Sequence, residues 1–234
     1  MKIILGAGLL TAMLTVNASA TLYSYTFDSG FQNNGVVPDG SADGLADAHT
    51  LSGLRTIITD VQVTLNFSGG YNGDLYVYLA HGTESLVLLN RVGVGSGDPF
   101  GYSDAGMSVI LANGGENGDI HSYGGTGIPT GTYAPDGRAI DPLSSPASFD
   151  AAGTEDFSVF NDLNPNGTWT LYFADMVGSE GNSSTLLSWS LDITAVPEPA
   201  HVALGIFGGV FVLVSVFRSA WVRSWFGSHF RRTT

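Results

Sequence analysis

Apolar and polar residues alternate in short runs through the middle of this chain. Val61, Val63, Leu65 and Phe67 are separated by Gln62, Thr64 and Asn66. Leu75, Val77 and Leu79 are separated by Tyr76 and Tyr78; Trp169, Leu171 and Phe173 by Thr170 and Tyr172. Leu187, Trp189, Leu191 and Ile193 alternate with Ser188, Ser190 and Asp192. A period of two puts successive side chains on opposite faces of a strand, so each run predicts a half-buried β-strand. Segments 22–27, 84–90 and 107–111 read as further strands, with glycine-rich turns between them. No interior segment carries a convincing apolar period of 3.6. Strands with one apolar face bury it by packing two sheets together. The pattern therefore predicts an all-β sandwich over 21–194, with long loops over 112–167, where Gly, Asn, Asp and Pro are frequent.

The two ends follow different patterns. Met1-Lys2, an apolar run from Ile3 to Val16 and the small-x-small triplet Ala18-Ser19-Ala20 have the form of a secretory signal peptide, 1–20, cleaved after Ala20. At the other end, Val196-Pro197-Glu198-Pro199-Ala200 precedes an uncharged apolar stretch from Val202 to Phe217, and Arg218, Arg223, Arg231 and Arg232 follow. At 1.5 Å per residue the stretch is roughly 24 Å long, against a hydrocarbon core of about 30 Å. The expectation is a transmembrane helix at 202–217 with a basic tail, 218–234, held on the cytoplasmic side. The motif, apolar span and arginine tail of 195–234 together resemble a PEP-CTERM sorting signal. The tail is longer than is usual for that family. The resemblance implies a Gram-negative host, export across the inner membrane and recognition of residues 196–200 by an exosortase-type enzyme. The chain would be anchored at its C-terminus before processing, then held at the cell surface or in the extracellular matrix.

Charge narrows the functional classes. The 234 residues carry 8 Lys+Arg against 21 Asp+Glu, a net charge of -13. All the acids lie between Asp28 and Glu198, where Arg55, Arg91 and Arg138 are the only basic residues. Nucleic-acid binding needs a basic surface and is excluded. The absence of cysteine removes disulfides, thiol catalysis and cysteine-ligated metals. An acidic domain repels itself unless cations are bound, which brings calcium forward.

A second resemblance runs along the interior. Val36-Val37-Pro38-Asp39-Gly40, Thr59 to Leu65, Tyr71-Asn72-Gly73-Asp74-Leu75 and Gly82-Thr83 occur in the order of motifs of the P domain (Homo B domain) of subtilisin-like proprotein convertases. Gly131-Thr132-Tyr133-Ala134-Pro135, Asn166 to Leu171, Asp175 and Leu187 to Leu191 continue that order. Residues 137–166 fit the family poorly. The resemblance implies a jelly-roll sandwich of about eight antiparallel strands, often stabilised by calcium. Loop acids supply the hard oxygens calcium takes. The expected ligands are Asp74, Asp104 and Asp175, with Glu180 beside them; no EF-hand loop is present.

Catalytic patterns are weak. His81-Gly82-Thr83 has the look of a protease histidine triplet but sits after a strand, with no matching nucleophile segment. Ser108 does not occupy a strand-to-helix elbow. His121 beside Asp119 reads as a polar loop residue. Glu155-Asp156 is one of several carboxylate pairs expected in acidic loops. Tyr76, Tyr78 and Tyr172 read as cross-strand partners on an outer face, with an aromatic platform as the alternative. The sequence thus points to a non-catalytic, exported, calcium-stabilised module for binding or structure. Its possible partners are an extracellular polysaccharide or a separate subtilisin-like protease that it would stabilise in trans. Carbohydrate binding and, least favoured, polysaccharide hydrolysis are the remaining readings.

Overall fold

The computed structural model describes residues 19–54, 56–178, 182–198 and 204–218. The expected signal peptide lies outside the described residues except for Ser19 and Ala20, and so do Glu180, Pro199 and Ala200. Chain contacts separate Ala20–Val196 from a second unit that contains the helix over 204–218.

Nine strands are described: β1 (Thr21–Phe27), β2 (Ser41–Leu51), β3 (Thr56–Gly69), β4 (Leu75–His81), β5 (Glu84–Asn90), β6 (Met107–Leu111), β7 (Thr130–Tyr133), β8 (Gly167–Asp175) and β9 (Ser184–Pro197). They form a five-stranded sheet in the order β1-β9-β3-β6-β7 and a four-stranded sheet in the order β2-β8-β4-β5. The apolar alternation explains the register. Leu75, Val77 and Leu79 of β4 pair along β8 with Asp175, Phe173 and Leu171, and all are buried. Trp169 and Trp189, from opposite sheets, are both fully buried. Each large apolar side chain removed from water contributes about 1.5–3 kcal/mol, and this core needs no disulfide.

Three expectations are corrected. The strands number nine rather than about eight, and β7 runs parallel to β6, with Ser108 opposite Thr130 and Leu111 opposite Tyr133. The 112–167 region is not wholly loop. Besides β7 it holds short 3₁₀ turns at Pro146–Phe149 and Phe157–Phe160, and Phe149, Phe157 and Phe160 are buried. The expected membrane span is not found. The helix covers 204–218, fifteen residues, or about 22 Å, and among the described residues no helix is long and apolar enough to cross a membrane. Val196 and Pro197 of the expected sorting motif end β9.

Candidate functional site

The connections β1–β2, β3–β4, β5–β6 and β8–β9 meet at one end of the sandwich. Backbone bonds tie them together: Val37 N–H to Ser184 O (2.9 Å), Gly73 N–H to Tyr102 O (2.8 Å), Asn72 N–H to Asp104 O (3.2 Å) and Met176 N–H to Asp74 O (2.8 Å). The approach is close enough to require glycine at two points. A Cβ on Gly73 would lie 2.2 Å from the Phe100 carbonyl oxygen, and one on Gly40 would lie 2.7 Å from the Gly178 Cα. Gly40 also has a φ of 63°, in the left-handed region that glycine occupies freely.

This packing encloses two of the four expected calcium ligands. Asp175, at the end of β8, is 0% exposed, and Asp74, at the start of β4, is 6% exposed. Leu75 lies directly opposite Asp175 in the sheet. Asp175 Oδ1 accepts from Val177 N–H (3.3 Å), whereas its Oδ2 is buried without a hydrogen-bond partner among the described residues. Burial, with the neighbouring charges of Asp74 and Asp39, pushes the Asp175 carboxyl up to about 6. Burial also raises Asp74; Arg91 opposes that shift and Asp39 adds to it. The Asn72 Oδ1 and Ser184 Oγ atoms of the same loop end are likewise buried and unpartnered. The donor set is all oxygen, which is the chemistry calcium takes.

Of the other two expected ligands, the one described residue is Asp104. The Asp104 carboxylate accepts instead from Gly127 N–H (3.0 Å), so only its backbone oxygen reaches the Asp74 loop. Glu180 lies outside the described residues. Among the described residues no three His, Asp or Glu side chains converge as a metal cage. A calcium ion here would need neutral oxygens beside the carboxylates. Asp39, in the β1–β2 connection, is an acid outside the expected set whose charge acts on both Asp175 and Asp74; its place in a Pro-Asp-Gly turn is visible in the sequence, but its proximity to Asp175 is not.

Beside Asp74 the loop end opens into a cleft of about 330 Å³, lined by Tyr71, Asp74, Phe100, Tyr102, Ser103 and Val177, among others. Phe100 is 77% exposed. No hydrogen bond reaches the Asp74 carboxylate from the described residues, and Arg91 spends its Nε on the Gly73 carbonyl (3.0 Å).

A second buried polar cluster was not anticipated. Asp136, with its side chain fully buried, accepts from His121 Nδ1 (2.7 Å) and from Arg138 Nη1 (3.1 Å). Arg138 Nη1 also reaches Asp119 (2.9 Å), and its Nε donates to the carbonyls of Phe149 and Ala151. His121 Nε2 faces the Val94 carbonyl at 2.9 Å. Both ring nitrogens therefore face acceptors, an arrangement that suits the imidazolium. Burial lowers the His121 pKa, but the hydrogen bond and charge of Asp136 and the Val94 carbonyl outweigh burial and Arg138, so the net shift is upward. The cluster fastens the 112–167 loops to β5 through Asn90, whose N–H donates to Asp136 (3.1 Å). A histidine and an arginine seventeen positions apart in loop sequence give no spacing pattern to detect.

The remaining candidates are occupied structurally. His81 contacts the Thr168 and Asn164 carbonyls through its two nitrogens and stacks on Trp169 at 4.0 Å. His49 bonds Asp47 (2.8 Å), which also accepts from Trp189 Nε1 (2.7 Å). Glu155 and Asp156 border a 280 Å³ cavity with Asp119 and Asp136, but Asp119 and Asp136 are paired with Arg138 and Asp156 caps Ser158 N–H (2.8 Å). Tyr78 and Tyr172 stack on each other at 4.8 Å and 22°, the cross-strand arrangement expected on that face.

No family model matches the chain, and no curated protein does. Among solved structures it is similar to the serine protease of Aeromonas sobria. The TM-score is 0.44 at 13% identity, covering 80% of this chain and 29% of the protease. The same protease in complex with its chaperone ORF2 gives 0.43 at 13% identity, covering 77% of this chain and 28% of that one. The chain thus spans less than a third of the length of the structures it resembles. At these scores the likeness assigns it no role.

Proposed function

We propose that this chain is an exported, non-catalytic β-sandwich module whose working end is the Asp74–Asp175 loop cluster, with calcium as the structural counter-ion there. One observation carries the reading. A fully buried carboxylate with an unpartnered oxygen, Asp175, lies beside two further acids. A buried anion of this kind is costly without a cation. Asp74 and Asp175 would hold the ion, with Asp39 and the free oxygens of the loop end nearby, and the ion would supply positive charge and loop rigidity.

The non-catalytic part of the proposal is supported by the commitments of the histidines. The rings of His81 and His121 have both nitrogens engaged, so neither offers a free base. We read the sandwich as a jelly roll with β7 added at one edge: β1-β9-β3-β6 and β2-β8-β4-β5 exchange sheets in the order that fold uses. The interior motifs favour a P-domain relationship, and the ends favour export with sorting through residues 196–200. Stabilisation of a separate protease would be one use of such a module.

Calcium titration of the full-length chain by calorimetry, followed by melting with and without chelator, tests the proposal. A defined stoichiometry and a calcium-dependent rise in Tm, both lost in Asp175→Asn, are expected. No heat and identical melting would sink the calcium site.

A further inference from the structure

The cleft next to Asp74 combines two chemistries. Its wall is ring surface, with Phe100 77% and Tyr71 39% exposed. Asp74, a residue 6% exposed whose carboxylate receives no hydrogen bond from the described residues, also lines it. An apolar concavity with a few convergent polar groups is the usual form of a small-ligand site, and 330 Å³ is at the small end of that range.

The ligand must then offer an apolar face and a hydrogen-bond donor at its edge. A hexose ring does: C–H groups lie on one face and hydroxyls around the rim. A protein partner fits less well, because a stable protein interface covers about 800 Å² on each side. The other exposed large apolar residues of the sandwich, Leu22, Ile110, Ile128, Leu143 and Leu187, lie on β1, β6, β9 and loops other than those forming the cleft. Charge chooses among sugars. With a calcium ion bound, the mutually interacting carboxylates of Asp39, Asp74 and Asp175 keep one net negative charge among them, so an acidic sugar would be disfavoured. A cationic ligand would compete with calcium for the same carboxylates.

We infer that the Tyr71–Phe100 cleft is a subsite for a neutral hexose unit of a polysaccharide. The sugar face rests on the two rings and a hydroxyl donates to the Asp74 carboxylate. This rests on the calcium reading above, which supplies the counter-ion and the loop rigidity.

Affinity electrophoresis of the full-length chain tests it, with hydroxyethyl cellulose and dextran as neutral probes, hyaluronan as the acidic probe and a lysine-rich peptide as the cationic competitor. Each is run with calcium and with chelator, and calcium binding is measured separately by calorimetry. The expected result is retardation by a neutral polymer. Phe100→Ala and Tyr71→Ala should each weaken it about tenfold or more, with the calcium heat and Tm unchanged. The inference is overturned if wild type binds calcium but neither neutral polymer, if both variants bind like wild type, or if only hyaluronan or the peptide binds. Neutral-polymer binding that depends on Phe100 but persists without any calcium heat would overturn the calcium reading and leave the cleft supported. Loss of both signals in wild type overturns both.

Discussion

Two clusters of buried acid stand in this sandwich, and they differ in what surrounds them. Around Asp136 every charge has a partner: His121 and Arg138 on the carboxylate, Asp119 on Arg138, and backbone carbonyls on Arg138 Nε and His121 Nε2. Around Asp175 the charged neighbours are the acids Asp74 and Asp39, opposed only by the backbone N–H groups of Val177 and Gly40, and Oδ2 has no hydrogen-bond partner among the described residues. Inside a protein a satisfied polar network fixes structure, whereas an unsatisfied anion is costly. Equal burial therefore carries opposite meanings. The first cluster is a staple for loops, and the second asks for a ligand.

The largest effect should come from breaking the staple. Arg138→Met leaves the Asp136 and Asp119 carboxylates short of a cation, at a cost of about 3–5 kcal/mol. Chemical denaturation should show that loss with calcium present or absent. The next largest is the calcium response. At calcium one hundred times its Kd, wild type should gain about 2.7 kcal/mol. Asp175→Asn should gain nothing and, in chelator, should melt at or above wild type, because an amide in that site has no charge to bury. If Asp175→Asn instead melts far lower in chelator, the carboxylate is as well satisfied as Asp136 and the contrast fails.

The pH dependence of the staple is a third, smaller effect. The His121 pKa is raised in the folded state. Its contribution to stability is therefore fully present below the ordinary histidine value of about 6.5 and is lost as pH rises through the higher folded value. Stability measured by urea melts from pH 5 to pH 9 should decline over that upper window, and His121→Gln should remove the decline. The smallest change separates Asp104 from the proposed calcium site. Asp104→Asn should leave calcium affinity unchanged and cost about 0.5–1.5 kcal/mol through its bond to Gly127.

Much of the fold was legible, for a physical reason. Where one strand face meets the core and the other meets water, the chain must alternate, and β3, β4, β8 and β9 do so. β2 escaped detection because two of its inward positions are Asp47 and His49. They are tolerated there only because Trp189 donates to Asp47 and His49 stacks on Phe27 at 3.7 Å, contacts made between distant segments. β7, at four residues, is too short to show a period, and the 3₁₀ turn of Phe157–Phe160 is recognisable only once its rings are seen to pack on the core.

The site divides along the same line. The residue types at Asp74 and Asp175, each at the junction of a strand and a glycine-bearing loop, were sufficient to nominate them. Asp104, within a Gly-Tyr-Ser-Asp loop rather than at a strand end, turns its carboxylate to Gly127. Local pattern alone determined the alternating strands β3, β4, β8 and β9 and the acidic character of the loops, because those depend on near neighbours along the chain. Which acids meet, which oxygen lacks a partner and which ring faces a cleft depend on loops separated by more than a hundred residues closing on one another. Only the tertiary structure decided those.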